Sequence, residues 1–178
     1  MNVRLITLAT LALSSACARS SATGGSSLTA QMTRGYDAQV ASGFERLRAA
    51  TRSFVSIDSA VAAGYPRVVQ ACIKHTEHTT HGAMGYHHLN RRYVDKDVIL
   101  EQPEFLLYER KPDGKYVLNG VEYVVPYRFW PKDSVPPKLL GRDMNKSDAL
   151  QYWYMHMWVW TNNSAGLFAD WNPEVKCG

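Results

Sequence analysis

The stretch Phe105-Leu-Leu-Tyr-Glu-Arg-Lys-Pro-Asp-Gly-Lys-Tyr-Val-Leu-Asn-Gly-Val-Glu-Tyr-Val-Val125 decides the fold of this chain. Its two ends are rich in the β-branched and aromatic residues that favour strands. Between them lies Pro112-Asp-Gly-Lys115, in which proline and Asp-Gly favour a tight turn. The stretch therefore predicts an antiparallel hairpin.

Two acidic residues of this hairpin occupy unusual positions. Because side chains alternate along a strand, Glu109 is expected on the same face as Phe105. By the same rule, Glu122 is expected on the face of Leu118 and Val124. An ionised carboxylate on an apolar face needs a cationic or metal partner.

Further elements extend on both sides of the hairpin. Residues 151–161 predict a long strand, and residues 67–73 and 86–89 predict shorter ones. Apolar residues at helical spacing predict a helix over residues 36–52, and a second short helix is expected to begin near Ser56 or Asp58 and to end at Gly64. Helices followed by strands predict an α+β fold with an antiparallel sheet or a partly closed barrel.

The first residues are typical of an export signal. Residues 1–16 carry one charge, Arg4, then an apolar run over residues 5–13, and then small residues. Cys17 follows, which resembles the lipidation site of bacterial lipoproteins, although ordinary cleavage nearby is an alternative. Composition predicts a flexible tether over residues 17–35 and one globular domain over residues 36–178.

The charge of the chain does not favour nucleic acid as a partner. The formal net charge is +4, and without residues 1–16, which hold one basic and no acidic residue, it is +4 − 1 = +3. This charge is small and scattered. We expect an exported protein of the bacterial periplasm or outer cell envelope, with membrane contact only through a lipid anchor at Cys17.

Two other cysteines remain for the folded domain, Cys72 and Cys177. In an oxidising compartment they most simply form a disulfide bond that ties the C-terminus to the middle of the chain. The alternative is that Cys72 ligates a metal ion or stays a reactive thiol.

Five of the six histidines lie between residues 75 and 88. His75, His78 and His81 alternate with polar residues, so they predict either a solvated loop or a peripheral metal site. His87 and His88 follow in a strand-like run and must point to opposite faces. The sixth, His156, lies in the strand predicted over residues 151–161.

His87 and His156 are the better candidates for a functional site. With Glu122 or Glu109 they compose a His/His/carboxylate set, which suits zinc hydrolysis or iron chemistry, the other carboxylate acting as general base. Zinc or copper is the expected ion, and a small molecule the expected substrate. The alternative is that both are neutral core histidines.

Sulfur and aromatic side chains offer two further interpretations. Met84, Met155 and Met157 can bind Cu(I) or simply pack the core. Tyr154, Trp158 and Trp160 can line a pocket for an apolar ligand or fill the core. An aromatic-lined pocket would make the protein a non-enzymatic binding domain. A structural envelope protein is the remaining alternative.

Several sequence motifs of this chain resemble those of a family of small exported bacterial proteins of uncharacterised function. The shared motifs are Cys72, Gly82-Ala-Met-Gly-Tyr-His87-His-Leu-Asn90, Pro103-Glu-Phe-Leu-Leu-Tyr-Glu109, Val121-Glu-Tyr-Val-Val125 and His156-Met-Trp-Val-Trp160 through Cys177. The resemblance implies that His87, His156, Glu109, Glu122 and the two cysteines belong to a common framework, and that His75, His78 and His81 do not. It implies no particular activity.

Overall fold

Three α-helices precede a sheet in this computed structural model, which describes residues 25–67, 69 and 71–177. The helices are α1 (Gly25–Met32), α2 (Ala38–Thr51) and α3 (Ile57–Ala62), and short 3₁₀ turns lie at Arg52–Val55, Thr79–His81 and Arg91–Tyr93. Helix α2 begins after Asp37, whose carboxylate accepts a hydrogen bond from the Val40 amide at 2.9 Å. The helix predicted over residues 36–52 is confirmed.

Helix α1 lies within residues 17–35, where composition predicted a flexible tether. Met32 is buried in the core and Leu28 packs against it, so residues 25–32 form a helix in the segment for which composition predicted a flexible tether. A few apolar side chains suffice to hold this helix, because the adjoining core covers them. The signal segment, residues 1–16, and the lipidation site Cys17 lie outside the described residues.

The sheet is antiparallel and curls into a half-barrel. Its strands, in sheet order, are β1 (Cys72–Lys74), β2 (Ala83–Leu89), β3 (Phe105–Arg110), β4 (Tyr116–Pro126), β8 (Tyr152–Met157) and β7 (Asn145–Ser147). A separate ribbon pairs β5 (Lys138–Leu139) with β6 (Arg142–Asp143). Strands β3 and β4 are the predicted hairpin, and the α+β class is confirmed.

The two faces of the sheet bury different groups. One face packs against the helices, with Leu106, Tyr123 and Met157 in the same core as Phe44 and Leu47 of α2. This apolar burial is the main source of stability. The other face carries a small apolar cluster, and next to it the polar residues considered below. The cluster consists of Ala83, Leu107, Trp158 and Val175.

A β-bulge changes which residues share a face in β4. Leu107 pairs with Gly120 but Tyr108 pairs with Leu118, so Asn119 is an extra residue. Leu118 consequently lies in the helix-side core. The prediction that Leu118 shares a face with Glu122 is wrong for this reason.

The C-terminal tail is tied to the edge of the sheet. Cys72 and Cys177 form a disulfide bond across 105 residues, so Cys72 is neither a free thiol nor a metal ligand. Asn172 pairs with Ala83, and a Cβ on Gly82 would come within 2.1 Å of the Asn172 carbonyl oxygen. A residue without a side chain is therefore required at Gly82. Among the described helices, none has the length and apolar character needed to cross a membrane.

Candidate metal centre

Three strands bring two histidines and a carboxylate together on the face of the sheet that points away from the helices. His87 lies in β2, Glu122 in β4 and His156 in β8, where His156 pairs directly with Glu122. The distances are 3.4 Å from His87 Nε2 to Glu122 Oε2 and 3.9 Å from His156 Nε2 to Glu122 Oε1. One ligand atom from each residue lies within 4.8 Å of the others, so this buried group can hold a metal ion.

The buried group is almost inaccessible to water. The side chains of His156, Glu122 and His87 are 1%, 4% and 11% exposed. Burial, with the opposing attraction of His156 and a smaller repulsion from Asp170, raises the pKa of Glu122 to about 7. Burial, followed by the nearby His156, lowers the pKa of His87 to about 3. In metal-free protein at neutral pH, His87 is therefore a neutral imidazole.

The hydrogen bond of His87 determines which of its nitrogens faces Glu122. His87 Nδ1 lies 3.2 Å from the Gly85 carbonyl oxygen. A carbonyl oxygen only accepts, so Nδ1 carries the proton and Nε2 keeps its lone pair. That lone pair points at a carboxylate, and two acceptors 3.4 Å apart need a proton or a cation between them.

His156 has no hydrogen-bond partner on either ring nitrogen among the described residues. Buried polar groups almost always have such a partner, and a metal ion is one group that could supply it here. Nε2 faces Glu122, while Nδ1 lies 3.5 Å from Asp170 Oδ1. Metal-binding histidines commonly place a carboxylate behind the ring in this way. The ring is held by Trp158, which stacks on it with an interplanar angle of 8°.

Asp170 is a residue beside the buried group that the sequence did not assign to it. It lies in the C-terminal tail, and it accepts a hydrogen bond from the Tyr154 hydroxyl at 3.0 Å. Burial alone would raise the pKa of Asp170, but His156 and Tyr154 outweigh it, and the pKa is lowered. No spacing rule links residue 170 to residue 156. The sequence signals were the predicted disulfide bond, which returns the tail to this side of the sheet, and the shared motif from His156 through Cys177, which contains Asp170.

A cavity of about 440 Å³ opens onto the buried group. Its wall is mostly apolar and aromatic, which is typical of sites for small molecules. The lining residues are Ile73, Met84, His87, Phe105, Glu122, Lys146, Ser147, Leu150, Tyr152, Tyr154, His156 and Trp171.

Of the three predicted pocket aromatics, only Tyr154 lines this cavity. Strand β8 ends at Met157, so the expected alternation does not reach Trp158 or Trp160. Trp158 is fully buried beneath His156. Trp160 turns towards α2, where its indole donates a hydrogen bond to Thr51 Oγ1 at 3.0 Å.

Glu109 does not belong to the buried group. Phe105 pairs with Glu122, and Glu109 lies four residues further along β3, or about 13 Å at the usual rise per residue. Its carboxylate instead pairs with Lys111 Nζ at 2.7 Å. Glu122 is the carboxylate of the site, and the alternative with Glu109 is wrong.

The remaining predicted ligands lie elsewhere. His75 is half-buried and His78 and His81 are exposed on the loop between β1 and β2. Met155 and Met157 pack in the helix-side core, as the packing alternative predicted, whereas Met84 lines the cavity. His88 points away from the buried group and its Nδ1 donates to the Pro66 carbonyl oxygen at 2.6 Å.

Comparison of this chain with protein-family models, with curated proteins and with solved structures finds no match.

Proposed function

We propose that this protein is an exported transition-metal protein that holds its ion with His87, Glu122 and His156. The observation that carries the proposal is His156, a fully buried imidazole with an unpaired nitrogen towards each of two carboxylates. An ion between His87, Glu122 and His156 would supply the partner that Nε2 lacks. It would also stabilise the ionised form of Glu122, which burial otherwise disfavours.

We propose zinc as the resident ion. Two imidazoles and one carboxylate form a common catalytic zinc set, and tetrahedral zinc with bonds of about 2.0–2.1 Å places ligand atoms roughly 3.4 Å apart. The 3.4 Å between His87 Nε2 and Glu122 Oε2 matches this spacing. The three ligand atoms together lie within 4.8 Å of one another, so the side chains would move closer together around an ion. Iron(II) and Cu(II) suit the same donors.

The remaining coordination positions would face the cavity, where a small substrate can bind. A zinc ion there would lower the pKa of a bound water to about 7. The apolar wall of Met84, Phe105 and Trp171 would exclude bulk water and strengthen electrostatic interactions at the ion. Metal-dependent chemistry on a small molecule follows as the proposed activity.

A non-enzymatic binding domain is the second candidate. It is favoured by the wall of the cavity, in which Phe105, Tyr152 and Tyr154 offer aromatic surface to an apolar ligand. Native mass spectrometry of the purified protein distinguishes the two functions. An organic molecule that co-purifies without a metal ion favours the binding domain.

We also propose that the chain is exported through residues 1–16 and is anchored by lipid at Cys17. The disulfide bond supports an oxidising, non-cytoplasmic compartment. Mass spectrometry of the mature N-terminus tests the anchor, since an acylated Cys17 adds the mass of its lipid. An unmodified N-terminus after ordinary cleavage would leave a secreted protein without an anchor.

Metal analysis of purified protein and of matched variants tests the metal site. We expect about one ion per chain in the wild type, and a loss of affinity of at least 100-fold in Glu122→Gln and His156→Ala, because each removes a ligand. Glu109→Gln is the control, since it changes another buried strand carboxylate that faces Lys111. Retention of no zinc, copper or iron by the wild type, or wild-type affinity in Glu122→Gln, would refute the proposal.

A further inference from the structure

The loop between β1 and β2 gathers three imidazoles outside the buried group. The ring centres of His75 and His78 lie 5.2 Å apart. Those of His75 and His81 lie 4.7 Å apart, and those of His78 and His81 lie 5.0 Å apart. Hydration of the loop alone does not require the three rings to lie this close together. We infer that this histidine loop is a second metal site, one that takes a divalent late transition-metal ion, Zn(II) or Cu(II), from solvent.

The spacing of the rings agrees with one shared ion. With metal–nitrogen bonds of about 2.0–2.1 Å, three imidazoles on a tetrahedral ion have ring centres roughly 5 Å apart. The observed ring-centre distances of 4.7–5.2 Å fit this value. Among the described residues only the buried group already has its ligand atoms within 4.8 Å of one another, so the loop imidazoles must rotate to turn their nitrogens towards a shared ion. In the buried group the two imidazole centres are 6.0 Å apart, with a carboxylate completing the set.

The backbone fixes the histidine loop before any ion arrives. The His75 amide donates to the Gly82 carbonyl oxygen at 3.1 Å, and the His81 amide donates to the His78 carbonyl oxygen at 3.0 Å. Gly82 closes the loop with a φ of +76°, a conformation that glycine adopts readily. The backbone of the loop is therefore ordered before binding, so an ion would have to order only the side chains.

Trp171 supports the histidine loop from the C-terminal tail. Its ring lies edge-on against His75, with centres 4.9 Å apart, and it also lines the cavity over the buried group. The proposed second site thus adjoins the wall of the cavity. The second site does not require the buried group to bind metal.

One hydrogen bond limits the affinity of the second site. The His78 amide donates to His75 Nδ1 at 3.0 Å, so in the neutral ring the proton sits on Nε2. His75 can ligate only if this bond is lost, either because the ion replaces the amide at Nδ1 or because the proton moves from Nε2 to Nδ1. We therefore expect micromolar rather than nanomolar binding.

Zinc titration by calorimetry tests the inference on the full chain. In Glu122→Gln, where the buried group lacks its carboxylate, we expect one zinc ion per chain with micromolar affinity. Adding His78→Ala or His81→Ala should weaken that binding by on the order of 100-fold, since each removes a ligand. Thr80→Ala, on the same exposed turn, is the control and should leave the affinity unchanged.

The outcomes separate this inference from the proposed function. If the wild type and Glu122→Gln both bind one ion that His78→Ala removes, the second site stands and the buried group has failed. The inference is wrong if Glu122→Gln binds no zinc, or if neither His78→Ala nor His81→Ala changes the affinity more than about threefold. Cu(II) electron paramagnetic resonance adds a second measurement, in which three imidazole nitrogens are expected at the ion.

Discussion

The histidine loop and the buried group contain the same side chain in opposite environments. His78 and His81 lie close in sequence and in contact with solvent, whereas His87 and His156 come from separate strands and meet in a water-poor place. Water can form a hydrogen bond with every nitrogen of an exposed imidazole, so crowding of exposed histidines does not by itself require a ligand. Both nitrogens of buried His156 lack such a partner among the described residues. The comparison teaches that burial, more than crowding along the sequence, makes a histidine require a ligand.

The disulfide-bonded tail connects the two regions. Cys72 lies at the start of β1, three residues before His75, and Cys177 ends the tail that carries Asp170 and Trp171. Asp170 faces His156 and Trp171 contacts His75. A change in the tail is therefore expected to disturb both regions at once.

Breaking the disulfide bond is expected to have the largest effect on stability, and it frees the tail that contacts both regions. Cys72→Ser combined with Cys177→Ser frees a loop of 105 residues, and the chain-entropy model gives a loss of about 4–5 kcal/mol in the free energy of unfolding. Urea unfolding followed by fluorescence measures it. Cys17→Ser leaves this bond intact and is the control; a loss below about 1 kcal/mol would show that the tail stays docked without the bond.

Removing the charge of Glu122 is expected to have the next largest effect on stability, and the size of this effect depends on pH. The pKa of Glu122 is raised to about 7 from an ordinary 4.5, so the folded state holds a proton that the unfolded chain releases. The contribution of protonated Glu122 to the free energy of unfolding is complete below about pH 4.5, and it is lost as the pH rises to about 7. Metal-free Glu122→Gln should therefore match the wild type at pH 4.5 and exceed it by about 3 kcal/mol at pH 8.

The same substitution should have the opposite effect when zinc is added. At pH 8 the wild type gains stability from the bound ion, whereas Glu122→Gln gains much less, because a neutral amide is a poor zinc ligand. Urea unfolding at pH 4.5 and 8, with and without zinc, measures all four conditions. A pH-independent difference in the metal-free proteins would mean that Glu122 titrates normally.

Much of this arrangement follows from rules that act over a few residues. Turn chemistry predicted the β3–β4 hairpin, and helical spacing predicted α2. Strand alternation placed His87 and His88 on opposite faces, and His88 indeed points towards Tyr108 in the helix-side core. Each of these rules compares a residue only with its near neighbours.

The features that the sequence did not reveal depend on contacts between distant segments. The extra residue Asn119 reverses the faces of β4 beyond Leu118, and no local signal marks that bulge. Residues 158–161 have the aromatic and β-branched composition that is typical of a strand. The Trp158 amide nevertheless donates to the Leu167 carbonyl oxygen at 3.0 Å, and the chain leaves the sheet there. Choosing Glu122 over Glu109, and finding Asp170, required the register and the position of the docked tail.

Asp170 offers a smaller test of the buried group. Asp170→Asn keeps the shape of the side chain but removes the negative charge behind His156 Nδ1, so zinc affinity should fall by about 10–100-fold. Calorimetric titration of zinc in the His78→Ala background isolates the buried group. Asp148→Asn is the control, because Asp148 accepts a similar tyrosine hydrogen bond, from Tyr127, on the exposed surface; equal losses in both variants would mean that Asp170 has no special role at His156.

The smallest expected effect on stability is that of substitutions in the exposed histidine loop. Without metal, His78→Ala and His81→Ala should each change the free energy of unfolding by less than about 0.5 kcal/mol, because both side chains are solvated and leave no cavity when truncated. With zinc present, the wild type should become more stable than either variant, since the inferred second site needs all three imidazoles. A loss above about 1 kcal/mol without metal would mean that the three rings stabilise one another directly, and their convergence would then need no ion to explain it.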